Sequence, residues 1–97
     1  MTRNPGARAA TRRVERVQTG VKIEKRVLLV LKALAGALDL SLGDLIEGIV
    51  LHALEGKAPF RPETLAKVQA LRAVYGLDLV AADSHQLVEV PAARKGR

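Results

Sequence analysis

A mostly α-helical fold is predicted, in which one N-terminal strand pairs across a homodimer, two core helices follow, and a C-terminal helical extension closes the chain. Three observations predict it: alternation of period two over residues 16–23, helical apolar periodicity from Glu24 to Leu54, and a further segment bounded by Pro62 and Gly76. The length of 97 residues allows one small domain, and with one Phe, one Tyr and no Trp its core must come from Leu, Val, Ile and Ala. The absence of cysteine excludes a disulfide framework, a thiol nucleophile and a zinc finger. His52 and His85 are too far apart in sequence for a metal motif, so neither metal nor cofactor is expected.

Residues 1–15 mix Arg, Gly, Pro and small side chains without apolar periodicity and read as a flexible basic arm. In residues 16–23, Val17, Thr19, Val21 and Ile23 alternate with Arg16, Gln18, Gly20 and Lys22, the pattern of a half-buried strand. A helix is expected from Glu24 to Leu38, where Val27, Val30, Leu31 and Leu34 recur at helical spacing. Leu28, Leu29, Ala33 and Ala37 extend its apolar surface to another side, for which Leu65, Val68 and Leu71 of the third helix are the expected cover.

Asp39 tolerates a left-handed turn. Ser41 then reads as the N-cap of a second helix, from about Leu42 to Leu54, with Leu42, Leu45, Ile46, Ile49, Val50 and Ala53 on its apolar stripe and Gly56 as its stop. Residues 57–90 read as a structural extension. A helix from Pro62 to about Tyr75 is followed by a mostly irregular stretch with room for a short helix near 81–89. Residues 91–97 form a basic tail.

The formal charge is +6 and is unevenly distributed. Residues 1–26 hold eight basic against two acidic side chains, a net +6, whereas residues 27–97 hold eight of each. A localised excess of this kind suits a polyanion, because neutralised phosphates release counterions and the field steers encounter. No stretch approaches the ~20 apolar residues of a membrane span, so no membrane partner is expected, and a cytoplasmic, DNA-associated protein is the expectation. An isolated strand leaves its backbone unpaired, and a second copy of the same segment is the simplest remedy.

The span Val17–Leu54, 38 residues, combines the alternating strand, the turn into a helix at Glu24, the spacing of Val27, Val30, Leu31, Leu34 and Leu38, the short turn ending in Ser41 and the amphipathic helix from Leu42. In these features it resembles the ribbon-helix-helix family of DNA-binding proteins, of the Arc and MetJ type. The resemblance implies an intertwined homodimer, a 16–56 unit for dimerisation and DNA binding, and an antiparallel β-ribbon in the major groove of double-stranded DNA. Carried over, Gln18, Gly20 and Lys22 read bases, and the backbone amides around Ser41, Leu42 and Gly43 hold phosphate. Glycine often stands in the family where this chain has Asp39, and Gly20 offers no side chain for reading.

Residue chemistry supports these roles: Gln pairs with adenine, Lys with guanine, and helix-start amides attract anions. Arg12, Arg13 and Arg16 are expected as further phosphate ligands. So are Lys25 and Arg26, whose cations oppose the dipole at a helix start unless an anion joins them. The dimer core would comprise Val21, Ile23, Val27, Leu31, Leu34, Leu45, Ile46 and Ile49. The function expected is that of a dimeric sequence-specific DNA-binding protein, most simply a transcriptional repressor. Alternatives are an antitoxin or scaffold that binds a protein partner through residues 57–97, and a DNA segregation or architectural protein. No catalytic constellation accompanies Asp83-Ser84-His85, and enzymatic activity is not expected.

Overall fold

The computed structural model describes residues 11–91. Residues 11–24 carry no regular secondary structure and are followed by α1 (Lys25–Ala37), α2 (Leu42–Leu54), α3 (Pro62–Tyr75) and one 3-10 turn at Ala81–Asp83. The expected helix near 81–89 is reduced to that turn. Residues 1–10 of the arm and 92–97 of the tail lie outside the described residues.

Each helix starts where its local chemistry directs. Glu24 stands before α1, and its carboxylate accepts the Val27 N–H at 3.0 Å. Ser41 stands before α2 with extended backbone, and its Oγ accepts the Asp44 N–H at 3.1 Å. Pro62 opens α3, where a missing N–H costs nothing and the ring sets a helical φ.

The three helices also end alike. Leu40, Lys57 and Leu77 send their N–H groups back five residues, to Ala35 O at 2.8 Å, His52 O at 2.8 Å and Arg72 O at 2.9 Å. In each case the residue just before the donor is left-handed: Asp39 at φ 62°, Gly56 at φ 74° and Gly76 at φ 64°. This is the Schellman closure, which satisfies carbonyls that the helix leaves open and reverses the chain within one residue. Asp39 adopts the conformation at the modest cost open to a short polar side chain.

Helix α1 packs against both α2 and α3, whereas α2 and α3 share no close backbone approach of their own. The centre of the core is Leu34, 1% exposed, with Ala35 and Leu45; Leu31, Leu38, Ile49, Phe60, Val68 and Leu71 pack around them. Val68 and Leu71 of α3 pack on this centre, whereas Leu29 and Ala37, on the side of α1 that α3 is expected to cover, are exposed, as is Leu65. Val30 is buried outside this cluster, and Leu77 is buried where the chain leaves Gly76.

The N-terminal strand is corrected. Among the described residues there is no strand, and the arrangement is all-helical rather than ribbon-helix-helix. The physical reason lies in the pairing that a strand requires: alternation supplies one apolar face, but a ladder needs a neighbouring backbone. Residues 12–23 make no backbone hydrogen bond among those outside the helices. Their side of the chain meets residue 89 only through a side-chain pair. The apolar face is accordingly left in solvent, with Val17 82% and Val21 73% exposed. Of the residues assigned to the core, Leu34 and Leu45 are buried, Val27, Leu31, Ile46 and Ile49 are half-buried, and Val21 and Ile23 are exposed.

Leu34→Ala should cost about 3 kcal/mol, since the side chain is fully buried. Ser41→Ala should cost about 1 kcal/mol through the lost cap. Urea unfolding followed by helical circular dichroism measures both, and Leu34 should be the more damaging.

Candidate nucleic-acid interface

Six cations lie within residues 12–26: Arg12, Arg13, Arg16, Lys22, Lys25 and Arg26. The first four belong to the segment before α1 and are exposed; Lys25 and Arg26 occupy the first turn of α1. Gln18, Gly20 and Lys22, the residues expected to read bases, are exposed as well. Lys25 is exposed too, and Arg26 is half-buried.

The structure divides the set by partner. Arg16 forks onto α2: its Nε donates to Glu47 Oε2 at 2.8 Å, and its Nη2 donates to Glu47 Oε1 at 2.7 Å and to Asp44 Oδ1 at 3.2 Å. Its bond to Glu47 raises the Arg16 pKa still further, with the Glu47 and Asp44 charges adding to the effect. The same bond holds Glu47 below the usual carboxylate range. Arg26 donates from Nε to Glu24 Oε2, and from Nη1 to both Gly76 O and Asp78 Oδ1, each at 3.0 Å. Glu24 lies below its usual value, chiefly because it accepts the Val27 N–H and then through Arg26.

Lys22 Nζ donates to Glu89 Oε2 at 3.0 Å. Among the described residues no ion pair engages Arg12, Arg13 or Lys25.

The start of α2 adjoins this cationic segment. Ser41 Oγ takes the Asp44 N–H, so the amides still open for an anion are those of Leu42 and Gly43. A Cβ at Gly43 would meet nothing within 4 Å, and the helix start is accordingly accessible. Asp44 and Glu47 follow within a turn, and their charges would repel phosphate there. The Arg16 fork offsets them, which is a physical reason for an arginine at that place in the segment.

Between the segment and the helices lies an open groove of about 950 Å³, lined on one side by Val17, Val21 and Ile23 and on the other by Leu28, Leu42 and Ile46. Further along α2, Val50, Leu51 and Leu54 are 45%, 64% and 78% exposed. Neither histidine lines this groove. His52 Nδ1 lies 2.7 Å from Gly48 O within α2, and His85 stands in a left-handed turn at φ 67°. No cluster of His, Asp or Glu among the described residues is arranged to hold a metal.

The ion pairs are the part that sequence reading missed. Those made by residues 12–26 join positions 28 to 67 apart, save the local Glu24–Arg26 pair, and only the fold brings them together. The spacing of Asp44 and Glu47 on one helical face was the one local signal of a receiving site for a guanidinium.

No family model matches the chain, and neither a curated protein nor a solved structure matches it. No helix among the described residues is long and apolar enough to cross a membrane.

The Arg16 fork makes a pH prediction. Because the folded Glu47 pKa is lowered, the pair contributes fully above the ordinary glutamate range and is lost as pH falls through the lower, folded value. Carboxyl NMR should show Glu47 titrating below the ordinary range in the native chain and returning to it in Arg16→Ala. An unchanged titration would remove the fork.

Proposed function

We propose that the chain is a DNA-binding protein that acts as a homodimer and serves as a sequence-specific transcriptional regulator, most simply a repressor in the cytoplasm. The observation that carries the reading is the concentration of six cations in residues 12–26, five exposed and Arg26 half-buried, against a remainder that is electrically neutral over residues 27–97. Double-stranded DNA presents the polyanion that such a segment fits. Arg12, Arg13, Arg16, Lys25 and Arg26 take phosphate, together with the Leu42 and Gly43 amides. Gln18 and Lys22 face base edges, while Gly20 lets the backbone come close without adding a side chain. The contact assigned to DNA is the cationic segment and the helix starts beside it.

The homodimer rests on the apolar surface left open. Among the described residues five hydrophobic side chains are buried, while Val17, Val21, Val50, Leu51 and Leu54 face solvent. An exposed apolar expanse of this kind marks an interface. A second copy laid on the groove between the segment and α2 would cover it on both chains at once. Helix α3 packs on α1 within the single chain, which favours a regulator over an antitoxin whose C-terminal region orders only on a protein partner.

Selection of bound duplexes from a random pool at stated salt tests the reading, and an enriched sequence is expected. Retention of DNA without enrichment would point to an architectural protein, and no retention at low salt would remove DNA as the partner. Deleting residues 1–15 should weaken specific and random binding alike and flatten the salt dependence, whereas Lys22→Ala should reduce discrimination between sites. Sedimentation at micromolar concentration should give twice the 10.4 kDa chain mass.

A further inference from the structure

We propose that residues 77–91 form an acidic strap that competes with nucleic-acid phosphate for Lys22 and Arg26, lowering the affinity of the chain for DNA in general. The inference rests on the DNA-binding reading and adds a built-in opponent to it. The strap carries Asp78, Asp83 and Glu89 and no Lys or Arg, a net charge of −3. Opposite it, residues 12–26 hold six basic side chains against Glu15 and Glu24, a net +4.

Two of the three strap carboxylates reach that segment. Asp78 Oδ1 accepts from Arg26 Nη1 and Glu89 Oε2 accepts from Lys22 Nζ, both at 3.0 Å. The third turns inward to its own turn, where Asp83 Oδ2 accepts the Val80 N–H at 2.8 Å. The two occupied cations are one assigned to a base edge and one assigned to phosphate, and each carboxylate stands where a nucleic-acid acceptor would.

The strap is fixed at one end and light at the other. At its start Leu77 is buried, and Arg72 Nη2 donates to Leu79 O at 3.0 Å. Gln86 is tied back by its N–H to Asp83 O and by its side chain to Ala82 O. Beyond Gln86, among the described residues, the Lys22–Glu89 pair is the one hydrogen-bonded contact, and Leu87, Val88 and Val90 are exposed. The pair itself is open to water, with side chains 86% and 71% exposed. Exposed pairs of this kind are weak and screened by salt. A duplex with its dense row of phosphates can therefore displace the strap, while a sparser anion meets cations that are already satisfied.

The test measures the affinity of the full chain for a random-sequence duplex of about 30 base pairs at about 50 mM salt, where charge contacts weigh most. Glu89→Gln and Asp78→Asn should each tighten binding about two- to fivefold, and the double variant should tighten it by about the product. The salt dependence should steepen as each freed cation gains a phosphate.

Glu63→Gln makes the same charge change at the start of α3, the other end of that helix from Gly76, and should alter affinity by less than about twofold. In a Lys22→Gln background the gain from Glu89→Gln should vanish. The strap is overturned if Glu89→Gln and Asp78→Asn bind no tighter than Glu63→Gln while the native chain binds DNA, or if the Glu89→Gln gain survives without Lys22. If neither the native chain nor any variant retains DNA, the DNA-binding reading falls and takes the strap with it.

Discussion

Leu34 at the middle of α1 is the contact on which the fold depends. With Ala35 and with Leu45 of α2 it forms the cluster on which Val68 and Leu71 of α3 pack, and α2 and α3 share no close backbone approach of their own. The packing of helix on helix therefore passes through one 13-residue helix that must be apolar on two sides. A core without tryptophan gains its stability from aliphatic area alone, at roughly 1.5–3 kcal/mol per fully buried large side chain. The chain has few such residues. Repeated tight closure at the helix ends compensates geometrically: three left-handed residues turn the chain back within a single step, so that short connectors suffice to keep α2 and α3 against α1.

Charge follows a different logic from packing. The cations of residues 12–26 gather where the backbone is least constrained, and the fold returns acidic groups to three of them: Asp44 and Glu47 to Arg16, Glu89 to Lys22, and Glu24 with Asp78 to Arg26. Because all these groups remain in contact with water, the pairs organise direction more than they hold the chain together. The result is a basic region whose members differ in availability. Arg12, Arg13 and Lys25 are without an acidic partner among the described residues, whereas the arginine nearest α2 is clasped from two sides.

The helices were legible because their signals are local. Ser41 before an apolar stripe, Pro62 ahead of Glu63, and glycine at 56 and 76 act within a turn of themselves, and α2 and α3 lie between those marks. Asp39 was legible for the same reason, since the tolerance of its side chain for positive φ belongs to the residue itself. The alternation of Val17, Val21 and Ile23 misled because a strand is a property of two backbones, and a period of two records only which side chains share a face. In the single chain that face has no ladder beside it. The ion pairs were illegible on other grounds: Lys22 and Glu89 are ordinary surface residues until the Gly76 turn and the strap carry one to the other.

Gly76 has a consequence beyond ending α3. Its left-handed φ of 64° turns its carbonyl toward Arg26, whose Nη1 it receives at 3.0 Å, fifty residues away in sequence. A residue with no side chain thus helps to set where a guanidinium stands at the opening of α1. Any side chain at position 76 would strain that backbone wherever space allowed it. The disturbance would be expressed as a displaced charge on another helix, so helix termination and the aiming of a cation are here one and the same constraint.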